Sequence, residues 1–161
     1  MNSIEIRAIQ KKDNPEVAAM IREVLIEQEA PQEGTAYADK SLDEMYEVYT
    51  NQKSAYFVLL VEGEIKGSVG IAPLEGGSAE ICELQKMYFK PDIRGKGLGV
   101  RMMNTCLDFA KENNFKLCYI ETLPWMKAAQ KLYQGSGFEY INHRLGNTGH
   151  HSCTVWMLKN L

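Results

Sequence analysis

The sequence is short of several things that would each point to a class of function. No apolar run among its 161 residues approaches the roughly 20 that a membrane-spanning helix needs, so no membrane partner is expected. Basic charge is not in excess. Against 18 Lys and Arg stand 21 Asp and Glu, giving a formal net charge of −3 and a pI near 5.7. That is not the footprint of a general nucleic-acid binder. The stretch Met1 to Gln10 alternates polar and apolar residues and lacks the apolar core of a signal peptide, so the expected compartment is cytoplasmic. The four cysteines, Cys82, Cys106, Cys118 and Cys153, include no C-x-x-C pair. Each sits in an apolar run and reads as a small buried hydrophobe in a reducing compartment. The three histidines, His143, His150 and His151, lie near the C-terminus, and no carboxylate is spaced to complete a metal site with them, so no metal is expected.

What is present is ordinary for a soluble globular chain: 45% hydrophobic and 24% charged residues, enough for one domain over residues 1–161 with its own core. Ser3 to Ile9 alternates with period two and predicts a strand. Asp13-Asn14-Pro15-Glu16 starts a helix carrying Val17, Met20, Ile21, Val24 and Leu25. Ala30-Pro31 to Gly34 breaks it, and Ser41-x-x-Glu44 reads as a capping box opening a second short helix. Tyr56 to Val61 and Ile65 to Ala72 predict a hairpin about Glu62-Gly63-Glu64. Glu80 to Phe89 predicts a long strand closed by Pro91. A helix follows through Leu98, Met102, Cys106, Leu107 and Ala110. Then come a strand at Leu117 to Glu121, a helix from Pro124 and two closing strands, Phe138 to Ile141 and Cys153 to Leu158. The order is α+β.

The most informative stretch is the turn Arg94-Gly95-Lys96-Gly97-Leu98-Gly99, between a strand and a helix. Free amides at a helix N-terminus carry partial positive charge, and glycines let an anion approach the backbone. With Arg94, Lys96 and Arg101 nearby, and five basic residues from Lys86 to Arg101, the turn predicts a phosphate or pyrophosphate site. It is not a P-loop, and it is not a dinucleotide fingerprint, because Val100 stands where the last glycine would be.

The turn matches the pattern [Q/R]-x-x-G-x-[G/A] and resembles the acyl-CoA pyrophosphate loop of GCN5-related N-acetyltransferases (the GNAT family). Glu83-Leu84-Gln85-Lys86-Met87-Tyr88-Phe89 resembles that family's fourth strand, and Leu132-Tyr133 followed by Gly137-Phe138 resembles its late LY…GF signature. The likeness covers nearly the whole chain. It implies a three-layer α/β/α fold with a mixed, mostly antiparallel seven-stranded sheet whose fourth and fifth strands splay apart. It implies that backbone groups of Met87, Tyr88 and Phe89 bind the pantetheine arm of acetyl-CoA, and that the segment Arg94, Gly95, Lys96, Gly97, Leu98, Gly99 and Val100 cradles the pyrophosphate. The implied activity is acetyl transfer from CoA to a primary amine of a small molecule or peptide. The alternative is an acyl-CoA-binding sensor or partner domain without turnover. Homodimers, common in the family, would use the C-terminal strands.

The catalytic candidates are Glu83 and Tyr133. Glu83 reads as sharing a strand face with Ile81, Gln85, Met87 and Phe89, and a carboxylate among apolar neighbours shifts towards the range useful to a base, acting directly or through a water. Glu80 and Glu121 are weaker candidates. Tyr133 matches the family tyrosine beside the CoA sulfur, where it would act as general acid. Met126 stands where many members of the family carry a pantetheine-binding asparagine. Trp125 is read as a cofactor or acceptor contact as readily as a packing residue. The acceptor side is expected from the early helices and their loop, with Glu27, Glu29 and Tyr37, together with the C-terminal loop.

Overall fold

The computed structural model describes residues 3–161; Met1 and Asn2, part of the segment read for a leader, lie outside them. Strands β1 (Ile4–Ala8), β2 (Ala55–Val61), β3 (Glu64–Pro73), β4 (Ile81–Phe89), β5 (Leu117–Thr122), β6 (Glu139–Ile141) and β7 (Val155–Asn160) form one seven-stranded sheet in the order β1-β2-β3-β4-β5-β7-β6. Among the described residues, only the central β4–β5 pair is parallel. Helices α1 (Asn14–Glu27), α2 (Met45–Val48), α3 (Leu98–Glu112) and α4 (Lys127–Gly135) complete the expected order.

The two faces of the sheet carry separate cores. Val17, Met20, Ile21, Val24 and Leu25, at helical spacing on α1, pack with Tyr56, Val58 and Leu60 of β2. Met102, Met103, Cys106, Leu107 and Ala110 of α3 pack with Leu59 and Val61 of the same strand. Strand alternation thus sends successive residues of β2 into opposite layers. All four cysteines are buried and free, with Cys106 of α3 packed in one core with Cys82 and Cys118 of the sheet.

The capping box expected at Ser41 is replaced by other geometry. Lys40–Glu44 forms a 3-10 helix with Asp39 at its N-cap, and its last residue, Glu44 (φ −131°, ψ 42°), stands at the N-cap of α2. Leu42 and Met45, both fully buried, are three residues apart. The tighter 3-10 turn brings residues at that spacing onto one line.

Candidate active site

The site begins with two irregularities in β4. The first is a bulge. Gln85 pairs with Gly70 of β3 and Tyr88 with Ser68, leaving one extra residue on β4, and Lys86 takes a left-handed φ of 50°. The bulge reverses the alternation beyond it. Cys82 and Leu84 face the α3 core, but so do Met87 and Phe89, while Tyr88 packs on the α1 side. The single face expected for Glu83, Gln85, Met87 and Phe89 is therefore corrected: the bulge separates the first two from the last two.

The second irregularity is a fork. β4 pairs with β5 only over Ile81–Glu83, whereas β5 continues along β7 to Thr122. From Leu84 to Phe89 the β5-facing edge of β4 has no strand partner. Such an edge presents unpaired backbone donors and acceptors to an extended ligand.

A cleft of about 450 Å³ runs along this edge, walled by Met87, Tyr88 and Phe89 on β4, by Val24 and Gln28 at the end of α1, and by Trp125 to Ala129, Leu132 and Tyr133 at α4. Arg94, Gly95, Gly97, Gly99 and Val100 close one end. Gly97 is the N-cap of α3, with φ 77°, no side-chain cap and no acidic residue in the first turn, so the first amides of a fifteen-residue helix are left for an outside acceptor. Gly95 also has positive φ, and a Cβ added at Gly95 or Gly97 would meet nothing within 4 Å. The loop is an open concavity with amides at its base, which fits a pyrophosphate. Gly99 serves packing instead. A Cβ there would lie 3.0 Å from Leu132, so this glycine lets α3 and α4 approach.

Leu98 is buried in the α3 core and offers only its backbone, and Lys96 is exposed and lies outside the cleft lining. Arg94 lines the cleft, but its guanidinium is committed elsewhere. It donates to the Phe89 carbonyl at 2.7 and 3.0 Å and to Glu27 Oε1 at 2.7 Å. Arg94 in turn holds the Glu27 carboxyl below its ordinary range. Lys86 lies 3.5 Å from Asp39, and Lys90 lies 3.5 Å from Glu64. Much of the local basic charge thus fastens β4 to its surroundings. Glu27, expected on the acceptor side, pairs with Arg94 of the glycine turn.

Tyr133 is buried and lines both the large cleft and a smaller cavity of about 60 Å³ in the β4–β5 fork. Burial pushes its phenol far above the ordinary tyrosine range, so it remains protonated. Glu83 is 6% exposed and lines neither cavity, although Leu84 and Lys86 beside it line the small one. Burial raises its carboxyl from 4.5 to about 7, and a 2.7 Å hydrogen bond from Gln85 Nε2 opposes the rise. Glu121 does line the small cavity, but both of its oxygens are taken. Tyr119 and Arg144 meet Oε2 at 2.7 and 3.0 Å, and Thr148 donates to Oε1. That carboxylate is compensated and pins the loop after β6 onto β5.

The C-terminal loop also reaches the α1–α2 connection: His150 Nε2 is 2.9 Å from Asp39 Oδ2. His151 packs against Gly34, where a Cβ would meet its ring at 2.5 Å, and His143 contacts Asn142. Sequence reading missed Gln28 and Lys127 as cleft residues, and only their place beside α1 and α4 reveals them. Trp125, open between cofactor contact and packing in the sequence, lines the cleft, and its indole Nε1 donates to the Gln28 carbonyl at 2.7 Å. Met126 lines both cavities, and its sulfur accepts from the Thr122 hydroxyl at 3.7 Å.

Comparison with known proteins agrees with this geometry. The family model described as "Acetyltransferase (GNAT) family" matches residues 18–138. A protein of Escherichia coli K12, named as the uncharacterized N-acetyltransferase YjgM, is 46% identical over 157 residues, covering 97% of this chain and 94% of its own. N-acetylaspartate synthetase of Xenopus tropicalis is 30% identical over 89 residues, covering 55% of this chain and 32% of its own. Among solved structures, a GNAT acetyltransferase of Staphylococcus aureus superposes with a TM-score of 0.85 at 18% identity over 99% of both chains. The PaiA N-acetyltransferase of Thermoplasma acidophilum, in complex with coenzyme A, superposes with a TM-score of 0.75 at 18% identity over 99% of both chains. The chain belongs to the GNAT family and is an acetyltransferase.

Proposed function

We propose that this chain transfers the acetyl group of acetyl-CoA to a primary amine of a small molecule or peptide, with Glu83 as base and Tyr133 as acid. The observation that carries this reading is the junction of an uncapped helix N-terminus, an unpaired β4 edge and a buried, protonated tyrosine along one cleft. Bound acetyl-CoA supplies an acetyl thioester. The amides of Gly95 to Val100 hold its pyrophosphate, and the free edge at Met87, Tyr88 and Phe89 pairs with the pantetheine arm as an added strand would. Leu98 contributes an amide only, and Lys96 acts through its charge at a distance.

An acceptor amine arrives as an ammonium and must lose a proton before it attacks. Glu83, lining neither cavity, takes that proton through a water. The amine nitrogen then forms a bond to the acetyl carbon, the carbon–sulfur bond breaks, and the sulfur leaves with the electron pair. Tyr133 gives its proton to that sulfur, and the nitrogen's second proton restores the phenol. The acetamide and the free thiol leave, and the proton on Glu83 returns to solvent.

The test is thiol release from acetyl-CoA across a panel of amines, polyamines, amino acids and peptides. Turnover is expected on at least one class, together with Tyr133→Phe retaining CoA binding while losing about 100-fold in kcat. Binding of CoA without turnover on any amine would favour a sensor over an enzyme. Absence of CoA binding would overturn the cleft assignment as well.

A further inference from the structure

Glu83 receives its hydrogen bond from an amide that could equally well have presented its oxygen. Gln85 has one donor end and one acceptor end, and something must decide which faces the carboxylate. That decision is visible on α2 and its C-terminus. Tyr49 donates its hydroxyl to Gln85 Oε1, and Gln85 Nε2 donates to Glu83 Oε1 at 2.7 Å. Tyr49 is 7% exposed, and burial keeps its phenol protonated, hence a donor.

The pocket around Tyr49 is shaped for this contact. Gly70 sits opposite Gln85 in the β3–β4 register, and a Cβ there would lie 2.6 Å from the Tyr56 ring and 2.7 Å from the Tyr49 ring. Tyr56 packs against Tyr49 with centroids 4.9 Å apart. Its own hydroxyl is fixed by Ser68 Oγ at 2.8 Å and the Lys86 carbonyl at 3.0 Å. A missing side chain on β3 and a braced ring on β2 therefore hold the Tyr49 hydroxyl against the amide.

We propose that Tyr49 and Gln85 are positioning residues for the reaction: the Tyr49 hydroxyl sets the orientation of the Gln85 amide, and that amide holds the Glu83 carboxylate as a proton acceptor. The proposal rests on Glu83 being the base. Neither residue lines the cleft or the small cavity, so both act through Glu83. The other charged groups that bear on Glu83 are Glu121 on β5, which opposes its ionisation, and Lys86 on β4 and His150 in the C-terminal loop, which favour it; Asp39 pairs with both of these.

The test is the pH profile of kcat/KM, with a parallel NMR titration of the Glu83 side-chain carboxyl carbon that needs no acceptor. Gln85→Leu removes the donor, so the rising limb and the carboxyl titration should move up by about one pH unit, with KM for acetyl-CoA unchanged. Tyr49→Phe leaves the amide free to turn and should move both by about half as much. The double variant should match Gln85→Leu alone, because Tyr49 acts through Gln85. Additive shifts, or variants that lose thermal stability while keeping the wild-type titration, would overturn the proposal. Glu83→Gln separates the two layers. If it keeps the wild-type rising limb, the base assignment fails, and the carboxyl titration still decides the role of Tyr49 and Gln85. If it loses the limb while Tyr49→Phe and Gln85→Leu keep it, the positioning role alone fails.

Discussion

Arg94 and Glu27, 67 residues apart in sequence, meet at 2.7 Å and join the glycine-turn end of the cleft to the last turn of α1. Because Arg94 also caps the Phe89 carbonyl, one side chain ties the end of β4, the glycine turn and α1 together.

This arrangement predicts that Glu27→Ala and Arg94→Ala weaken CoA binding in the same direction, although a direct phosphate contact would make removal of Glu27 favourable. Both side chains are about a third exposed or more, so the pair itself contributes modestly. Glu27→Ala should raise Kd about threefold and Arg94→Ala, which also loses the carbonyl hydrogen bonds, about tenfold. Isothermal titration with CoA checks both. Tighter binding in Glu27→Ala would show that Arg94 is a phosphate ligand held in reserve.

Gly97 carries a sharper prediction. A side chain there enters open space rather than the core, so the fold should survive Gly97→Glu. The left-handed φ of 77° costs a non-glycine residue about 1–2 kcal/mol, or a Tm lower by a few degrees in a chain of this size. The carboxylate, however, would stand at the uncapped N-terminus of α3, where the phosphates are proposed to lie. CoA binding should fall by about 100-fold or more, measured on protein whose circular dichroism matches the wild type. Undiminished binding would refute the loop assignment.

Only two tryptophans are present, and they report on different places. Trp125 lines the cleft and is 48% exposed, while Trp156 lies on β7 beneath Arg144. Adding CoA should change the intrinsic fluorescence, and Trp125→Phe should abolish that change. The same variant loses the hydrogen bond to the Gln28 carbonyl across the cleft and should release CoA about threefold faster in stopped flow. A signal that persists in Trp125→Phe would place the bound cofactor away from this wall.

The glycine turn was legible in the sequence because its chemistry is local: left-handed φ at Gly95 and Gly97 and a helix start at Leu98 follow from consecutive residues. Element order was legible for the same reason. The face on which Glu83 lies relative to Met87 was not. The bulge puts Lys86, a residue with no preference for positive φ, into that conformation, and strand parity alone carries no mark of it. The true partners of Arg94, Glu121 and His150 were also hidden, because Glu27, Arg144 and Asp39 come from distant segments that only the folded sheet brings together.

Glu83 gives a prediction for stability with a definite sign. Its carboxyl sits at about 7 in the folded chain against an ordinary 4.5, so between those values the folded state holds a proton that the unfolded state has lost. Stability from this group therefore falls as pH rises from about 4.5 to 7, and the deficit is complete above 7, at roughly 3 kcal/mol. Glu83→Gln is neutral at every pH and escapes it. The variant should melt about 5 °C or more above the wild type at pH 8, allowing for imperfect amide hydrogen bonding, and the gap should close near pH 5. The same substitution should remove the rising limb of kcat/KM and lower it at pH 8 by about 100-fold or more. A variant more stable and less active at alkaline pH, with both differences traced to one carboxyl, is the signature of a base kept in an unfavourable site for its chemistry. A melting difference independent of pH would mean that Glu83 ionises at its ordinary value and that the wall around it is wetter than the packing of β4 implies.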